Sequence, residues 1–429
     1  MAMKDSAKAF GARFKLDSHH AIERFGVFFG AIALSFVVIF SATGVSAYAN
    51  NQEALSSKAL YTPTFKTSKT DISGDVPGIF VNADRTRAMV LMHFKDTAKV
   101  SANARDYRGF LTGSSRGLNQ ESLQTKVDGS VYVFGSTGYM GVMLDSDKPF
   151  NPQIMNLTMR ANTELVFKEG GASTEKDLPA DGSFQKFDQW RVFFNPGGSE
   201  ATVSAALSTP KVDVGAIFNE VVVAAQEKTI RNTMDAQLAL MQTDLNRIND
   251  GTAELERTTA DGGALRLVAP KVPKQIAGDV VEGKARVGET ASTLKLKTDV
   301  VLPMGYGFDW RGGSVMAGYL KDLSPDGSSY VSYLAKRGKE VRDEFRINEM
   351  QWRLNDGTDL KTDYSGSDTT VKPLTDIMNK LSTAYQDYYK DKTTYQVEQY
   401  KQLLDLEVSL RNVESNHTVN STKEAMVSY

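Results

Sequence analysis

Residues 25–49, FGVFFGAIALSFVVIFSATGVSAYA, carry no charged side chain. A helix in a water-soluble core shows an apolar stripe, not an uncharged run of this length. Crossing a bilayer takes roughly 20 apolar residues at about 1.5 Å each, and this stretch is long enough. The expectation is one membrane-spanning signal-anchor that decides where the rest of the chain resides. Lys4, Lys8, Arg13, Lys15 and Arg24 precede it, offset by Asp5, Asp17 and Glu23; Lys58, Lys66 and Lys69 follow. That excess of basic residues predicts a cytoplasmic N-terminus and an extracytoplasmic bulk. The rival reading is a cleaved signal peptide. Ala47-Tyr48-Ala49 has the small-x-small form of a cleavage site and is followed by Asn50-Asn51-Gln52. Cleavage after Ala49 would release a secreted protein. Against it, the apolar core is longer than the 7–15 residues usual for a signal peptide.

The 429 residues allow two or three domains. A hydrophobic fraction of 41% with net charge −2 fits folded domains and gives no basic field for nucleic acid. The absence of cysteine removes disulfides, thiol catalysis and cysteine-ligated metal from the sequence.

Residues 1–24 form a basic segment, 25–49 the anchor, and 50–73 a Ser/Thr-rich linker or edge segment. Short apolar runs at 79–81, 88–92, 131–134, 142–144 and 154–159 then predict a first β-rich domain over 74–210. The unbroken run at 88–92 suits a strand buried on both faces. QWRVFF (189–194) and ATVSAAL (201–207) read as a hairpin across Asn195-Pro196-Gly197-Gly198. Gly135, Gly138 and Gly141 have the spacing of a phosphate-binding loop. No helix follows before Asp145, so hairpin-turn glycines are the expectation.

From residue 213 the period changes. Met234, Leu238, Met241, Leu245, Ile248 and Leu255 alternate at spacings of three and four, with Thr252 filling the remaining place. This predicts a long helix over 213–260, with Asp213 as its N-cap. Leu374, Ile377, Leu381 and Tyr388 form a second seam in a helix over 373–414. There the pattern resumes shifted at Leu403, Leu406 and Leu410, resembling a coiled-coil discontinuity. The simplest assembly is an intramolecular antiparallel pair; a homo-oligomer joined through the seams is the alternative. Strand candidates at 265–268, 293–302, 314–320, 330–334 and 345–354 predict a second β-rich domain over 262–370. Residues 415–429 read as a polar tail. The expected class is α+β: an N-terminal transmembrane helix, two sandwich- or barrel-like β domains, and two long coiled-coil-like helices flanking the second.

Catalytic, cofactor-binding and metal-binding residues are expected to be none. Of four histidines, only His93 falls in a folded exported region, and no nucleophile motif accompanies it. The most site-like stretch is Tyr306, Phe308, Asp309, Trp310 and Arg311, set among Gly305, Gly307, Gly312 and Gly313. Aromatic faces with an acid and a base suit a sugar, peptide or protein partner. The favoured reading is a tight turn whose aromatics plug the domain core. An anchor, long seams and no catalytic constellation together predict a scaffold in a cell-envelope assembly, with the membrane and envelope proteins as partners. A surface adhesin or ligand-binding module is the alternative. An acid-catalysed polysaccharide enzyme, needing two facing carboxyls, is third.

Overall fold

A computed structural model describes residues 56–96, 100–114, 119–161, 187–288, 290–302, 305–320, 332, 349–365 and 368–429. The basic segment, the apolar stretch with Ala47 and Ala49, and residues 336–343 (KRGKEVRD), whose mixed charge reads as a solvated connector, lie outside them. Among the described residues, no helix is long and apolar enough to cross a membrane.

Two sheets, built almost wholly of antiparallel pairs, form the first β region. One runs β1 (Thr64–Lys66), β2 (Ser73–Val81), β3 (Arg87–Phe94), β7 (Tyr139–Asp145), β6 (Asp128–Val133) and β13 (Thr418–Asn420), with β10 (Thr202–Val203) parallel to β2. The other runs β14 (Met426–Ser428), β4 (Tyr107–Ser114), β8 (Ile154–Ala161) and β9 (Gln189–Phe194), with β5 (Gln120–Glu121) on β4. Val90, Met92 and Phe94 of the first sheet share one buried cluster with Leu111, Leu157 and Trp190 of the second. The Trp190 ring meets Phe94 edge-on at 5.2 Å. Met89, Leu91 and Met143 belong instead to the cluster that holds the helices. Residues 88–92 are apolar throughout because alternate side chains enter two different cores. Gly135 and Gly138 have positive φ, which glycine adopts without strain, and turn the chain between β6 and β7.

Helix α1, residues 214–257, comprises α segments Val214–Phe218 and Ala224–Arg257 joined by a π turn at Asn219–Val223. The Asp213 carboxylate accepts the Ala216 N–H at 3.0 Å, capping the helix as expected. Its first turns lie on the first sheet: Phe218 is 5.4 Å from Phe134, and Gln226 donates to the Tyr139 hydroxyl at 3.1 Å. Helix α2, residues 372–416, has α segments Lys372–Thr393 and Tyr400–Asn416 around a π turn at Thr394–Gln399. The extra residue of that turn accounts for the shifted seam. The helices run antiparallel. Lys380 pairs with Glu254, Arg247 with Asp387, and a Cβ on Gly215 would meet Glu414. Met234, Leu238, Met241, Ile248 and Leu255 are buried, as are Leu374, Ile377, Leu381 and Tyr388; Leu245 is partly covered. The seams close within one chain.

Three expectations are corrected. The loop at 195–198 does not make a hairpin: β9 lies in the second sheet and β10 in the first. Backbone bonds from Asn195 to Ala59 and from Ser199 to Ser56 hold the loop as the chain passes between sheets. Residues 415–429 are not simply a polar tail. β13 pairs with β6 and β14 runs parallel to β4, so this segment gives a strand to each sheet. Their brevity hides any alternating pattern. The region between the helices has little sheet among its described residues, namely the ribbon β11 (Val280–Glu282) with β12 (Lys295–Lys297) and isolated bridges. Its Leu267, Ile276, Val281, Leu294 and Trp352 join the helices' cluster. Their spacing reflects packing on helix faces rather than on another sheet. The 314–320 candidate contains a 3₁₀ turn at Val315–Ala317, and 330–334 lies almost wholly outside the described residues.

Candidate functional site

The stretch from Tyr306 to Arg311 docks on the π turn of α2. A π turn leaves helix carbonyls without their usual i+4 donor and is often found at functional sites. Here the Gln396 carbonyl accepts the Tyr306 N–H at 3.0 Å, and the Gln396 side chain accepts the Leu302 N–H at 3.2 Å. Trp310 Nε1 donates to the Tyr395 hydroxyl at 2.8 Å. Tyr395 and Tyr400 hydroxyls lie 3.1 Å apart, and Tyr400 donates to the Phe308 carbonyl at 2.9 Å. This closed chain satisfies each buried polar group in turn. Burial pushes both tyrosines above their ordinary pKa, so they remain neutral.

The three aromatics of the stretch are buried: Tyr306 is 5%, Phe308 9% and Trp310 4% exposed. Phe308 meets Tyr400 edge-on at 4.9 Å. The Arg311 guanidinium stacks over Trp310 at 4.5 Å from the ring centroid. It also pairs with Asp235 of α1 and donates to the Leu294 carbonyl. Asp309 points outward, 3.6 Å from Lys295. The acid and base therefore do different work: Arg311 ties the loop to both neighbours, while Asp309 stays on the rim. A cavity of about 490 Å³ opens over these residues, between β12 and the π turn. Its floor is aromatic and its rim carries Lys295, Lys297, Asp299 and Asp309. The packing fits the core-turn reading; the cavity is what a ligand-binding reading would use.

Two further polar clusters were missed in the sequence. Lys392 of α2 and Asp279 of the insert are both fully buried, with Nζ 2.7 Å from Oδ2. Tyr388 donates to the same oxygen at 2.8 Å. Along α2, the hydroxyls of Tyr388, Tyr395 and Tyr400 all bond inside the protein. The lysine could have been noticed, since at position 392 it stands one turn beyond Tyr388. Its acidic partner, from a distant segment, gave no signal.

The second cluster lies in the seam. Asp244 of α1 hydrogen-bonds Asp391 of α2, and Arg247 reaches both Asp244 and Asp387 at 3.0 Å. Burial, then the neighbouring Asp391, raises the Asp244 pKa to about 6. His93 stacks on Tyr139 at 4.3 Å and lies 3.5 Å from Asp75 at the end of β3. Among the described residues, no group of three metal-ligating side chains converges.

No protein-family model matches the chain, and no curated protein or solved structure is significantly similar to it.

Proposed function

We propose that this protein is a membrane-anchored extracytoplasmic scaffold that bridges components of a cell-envelope assembly, of the secretion, conjugation or surface-complex kind. The observation that carries this reading is the helix pair. Residues 214–257 make a rod of about 65 Å, with its seam closed internally. The rod is rooted in the β region twice. Phe218 packs on the first sheet, and the strands after α2 enter both sheets. Such a strut transmits force and sets a distance. Two sheets facing across one core form a sandwich-like base, and residues 25–49 would tether it to the bilayer. The outer faces of the strut keep single apolar side chains such as Leu240 and Val408, both more than half exposed. They suit protein partners. Solubilising native membranes and purifying the full-length protein tests this. Stoichiometric envelope proteins should accompany it; recovery of the chain alone from the membrane, or from the medium, argues against it.

A second reading has one observation in its favour, the cavity over Tyr306, Phe308 and Trp310. A ligand-binding module would use that hollow, with Asp309 and the lysines of β12 at its mouth. Asp309→Ala and Lys297→Ala leave the aromatic floor intact, so loss of ligand capture in these variants would support binding over packing. For acid-catalysed hydrolysis, two carboxyls must face each other across a cleft; Asp244 and Asp391 face each other inside a helix seam.

A further inference from the structure

The contact between Lys392 and Asp279 has the composition of a condensation site. One side chain comes from the middle of α2, the other from the segment leading into β11, and both are removed from water. The lysine nitrogen is held from several sides. The Gln275 carbonyl, the Thr298 hydroxyl at 2.9 Å and the Val300 carbonyl at 2.9 Å surround it. The carboxyl is held by the Tyr388 hydroxyl on Oδ2, whereas Oδ1 has no hydrogen-bond partner among the described residues. An ion pair with one unsatisfied oxygen is a costly way to fill a core.

We propose that Lys392 and Asp279 join in a spontaneous intramolecular amide bond, which staples the insert covalently to α2. Transfer of one proton from the ammonium to the carboxylate turns two buried charges into a neutral amine and a neutral acid. Burial lowers the Lys392 pKa and so favours its neutral amine, although the charge of Asp279 opposes it. The amine nitrogen then attacks Asp279 Cγ, forming the C–N bond. One carboxyl oxygen takes up the nitrogen's proton and leaves as water when the C–O bond breaks. One amine hydrogen and one hydroxyl are lost, so the step balances without an oxidant or reductant. Tyr388, hydrogen-bonded to Oδ2, is placed to relay that proton, giving its own to the leaving oxygen and taking the nitrogen's in exchange. Burial keeps its hydroxyl protonated until then. Fixing both reactants on a rigid frame supplies the effective concentration that the reaction lacks in solution. The free pair is the precursor and the amide the mature form. The bond would close a loop across the insert and prevent the strut from peeling away from it under load.

High-resolution mass spectrometry of the full-length protein tests this. The expected result is a mass short by one water, after allowing for the N-terminus found in the same sample. Digestion should give a branched peptide joining the two residues in place of their linear peptides. The double variant Lys392→Met/Asp279→Leu, which replaces the pair with apolar groups, should show the full mass of its sequence. A wild-type protein at full mass with both linear peptides overturns the proposal. So does a water deficit that persists in the double variant, because it would then arise elsewhere, for example from a cyclised aspartate.

Discussion

The first β region and the insert between the helices are held by different means. In the β region, backbone ladders run strand to strand, and β3 and β7 are each paired along most of their length on both sides. In the insert, described ladder pairing is confined to one short ribbon, and side chains clamp the chain to the helices: Asp279 to Lys392 and Tyr388, Arg311 to Asp235, Trp310 to Tyr395. A ladder tolerates changes of residue because the backbone carries it. A clamp depends on the residue that makes it. Stability should therefore be spread across the first region and concentrated at a few positions in the second.

The sharpest way to break this contrast is to remove one clamp. Asp279→Ala leaves Lys392 buried without its carboxylate and should cost about 3–5 kcal/mol. Hydrogen exchange should quicken across 275–300 while β3 keeps its protection; equal loss in both regions would erase the distinction. Met241→Ala, in the helix seam, should cost about 2–5 kcal/mol in denaturant melts through the cavity it opens. Trp310→Phe keeps most of the packing but removes one of the two hydrogen bonds of the Tyr395 hydroxyl, for about 1 kcal/mol. A loss nearer that of Met241→Ala would mean that the ring's packing, rather than its hydrogen bond, holds the loop.

The seam adds a dependence on pH. The Asp244 pKa is higher in the folded protein than in the unfolded chain, so the folded state holds the proton more tightly. Its contribution is fully present below about pH 4 and is lost as pH rises through about 6, on the order of 1 kcal/mol given the partly exposed Arg247 beside it. Asp244→Asn should flatten that part of the stability profile. The smallest expected effect is at the helix start, where Asp213→Ala should cost about 1 kcal/mol or less.

The same contrast explains what could be read from the sequence. The helix pair was legible because Met234 to Leu255 and Leu374 to Tyr388 repeat at a period only a helix seam uses. The phase shift before Leu403 was visible too, although its cause, a π turn, was not. Strands β2, β3, β6 to β9 announced themselves as apolar runs. β4 did not, since Gly109 and Gly113 interrupt it, and β13 and β14 are three residues each. The insert misled because apolar residues packing on a helix can be spaced like those of strands. The Tyr306–Arg311 stretch was correctly marked as dense in aromatics, but its contacts with Tyr395 and Tyr400 depend on folding across more than 80 residues of chain. The pairings of Asp279 with Lys392 and Asp244 with Asp391 left no trace in local pattern, because each joins distant segments.

The bridging role can be tested where the protein works. A photo-crosslinking residue placed at Leu240 on α1, and separately at Val408 on α2, would report what touches the strut in intact cells, since both side chains are exposed and neither closes the seam. The scaffold account predicts discrete adducts with the same few envelope proteins in repeated experiments, abolished when the cells are lysed and diluted before irradiation. Full-length protein that irradiates without adducts at both positions, while the purified chain captures a small ligand over Trp310, would contradict it.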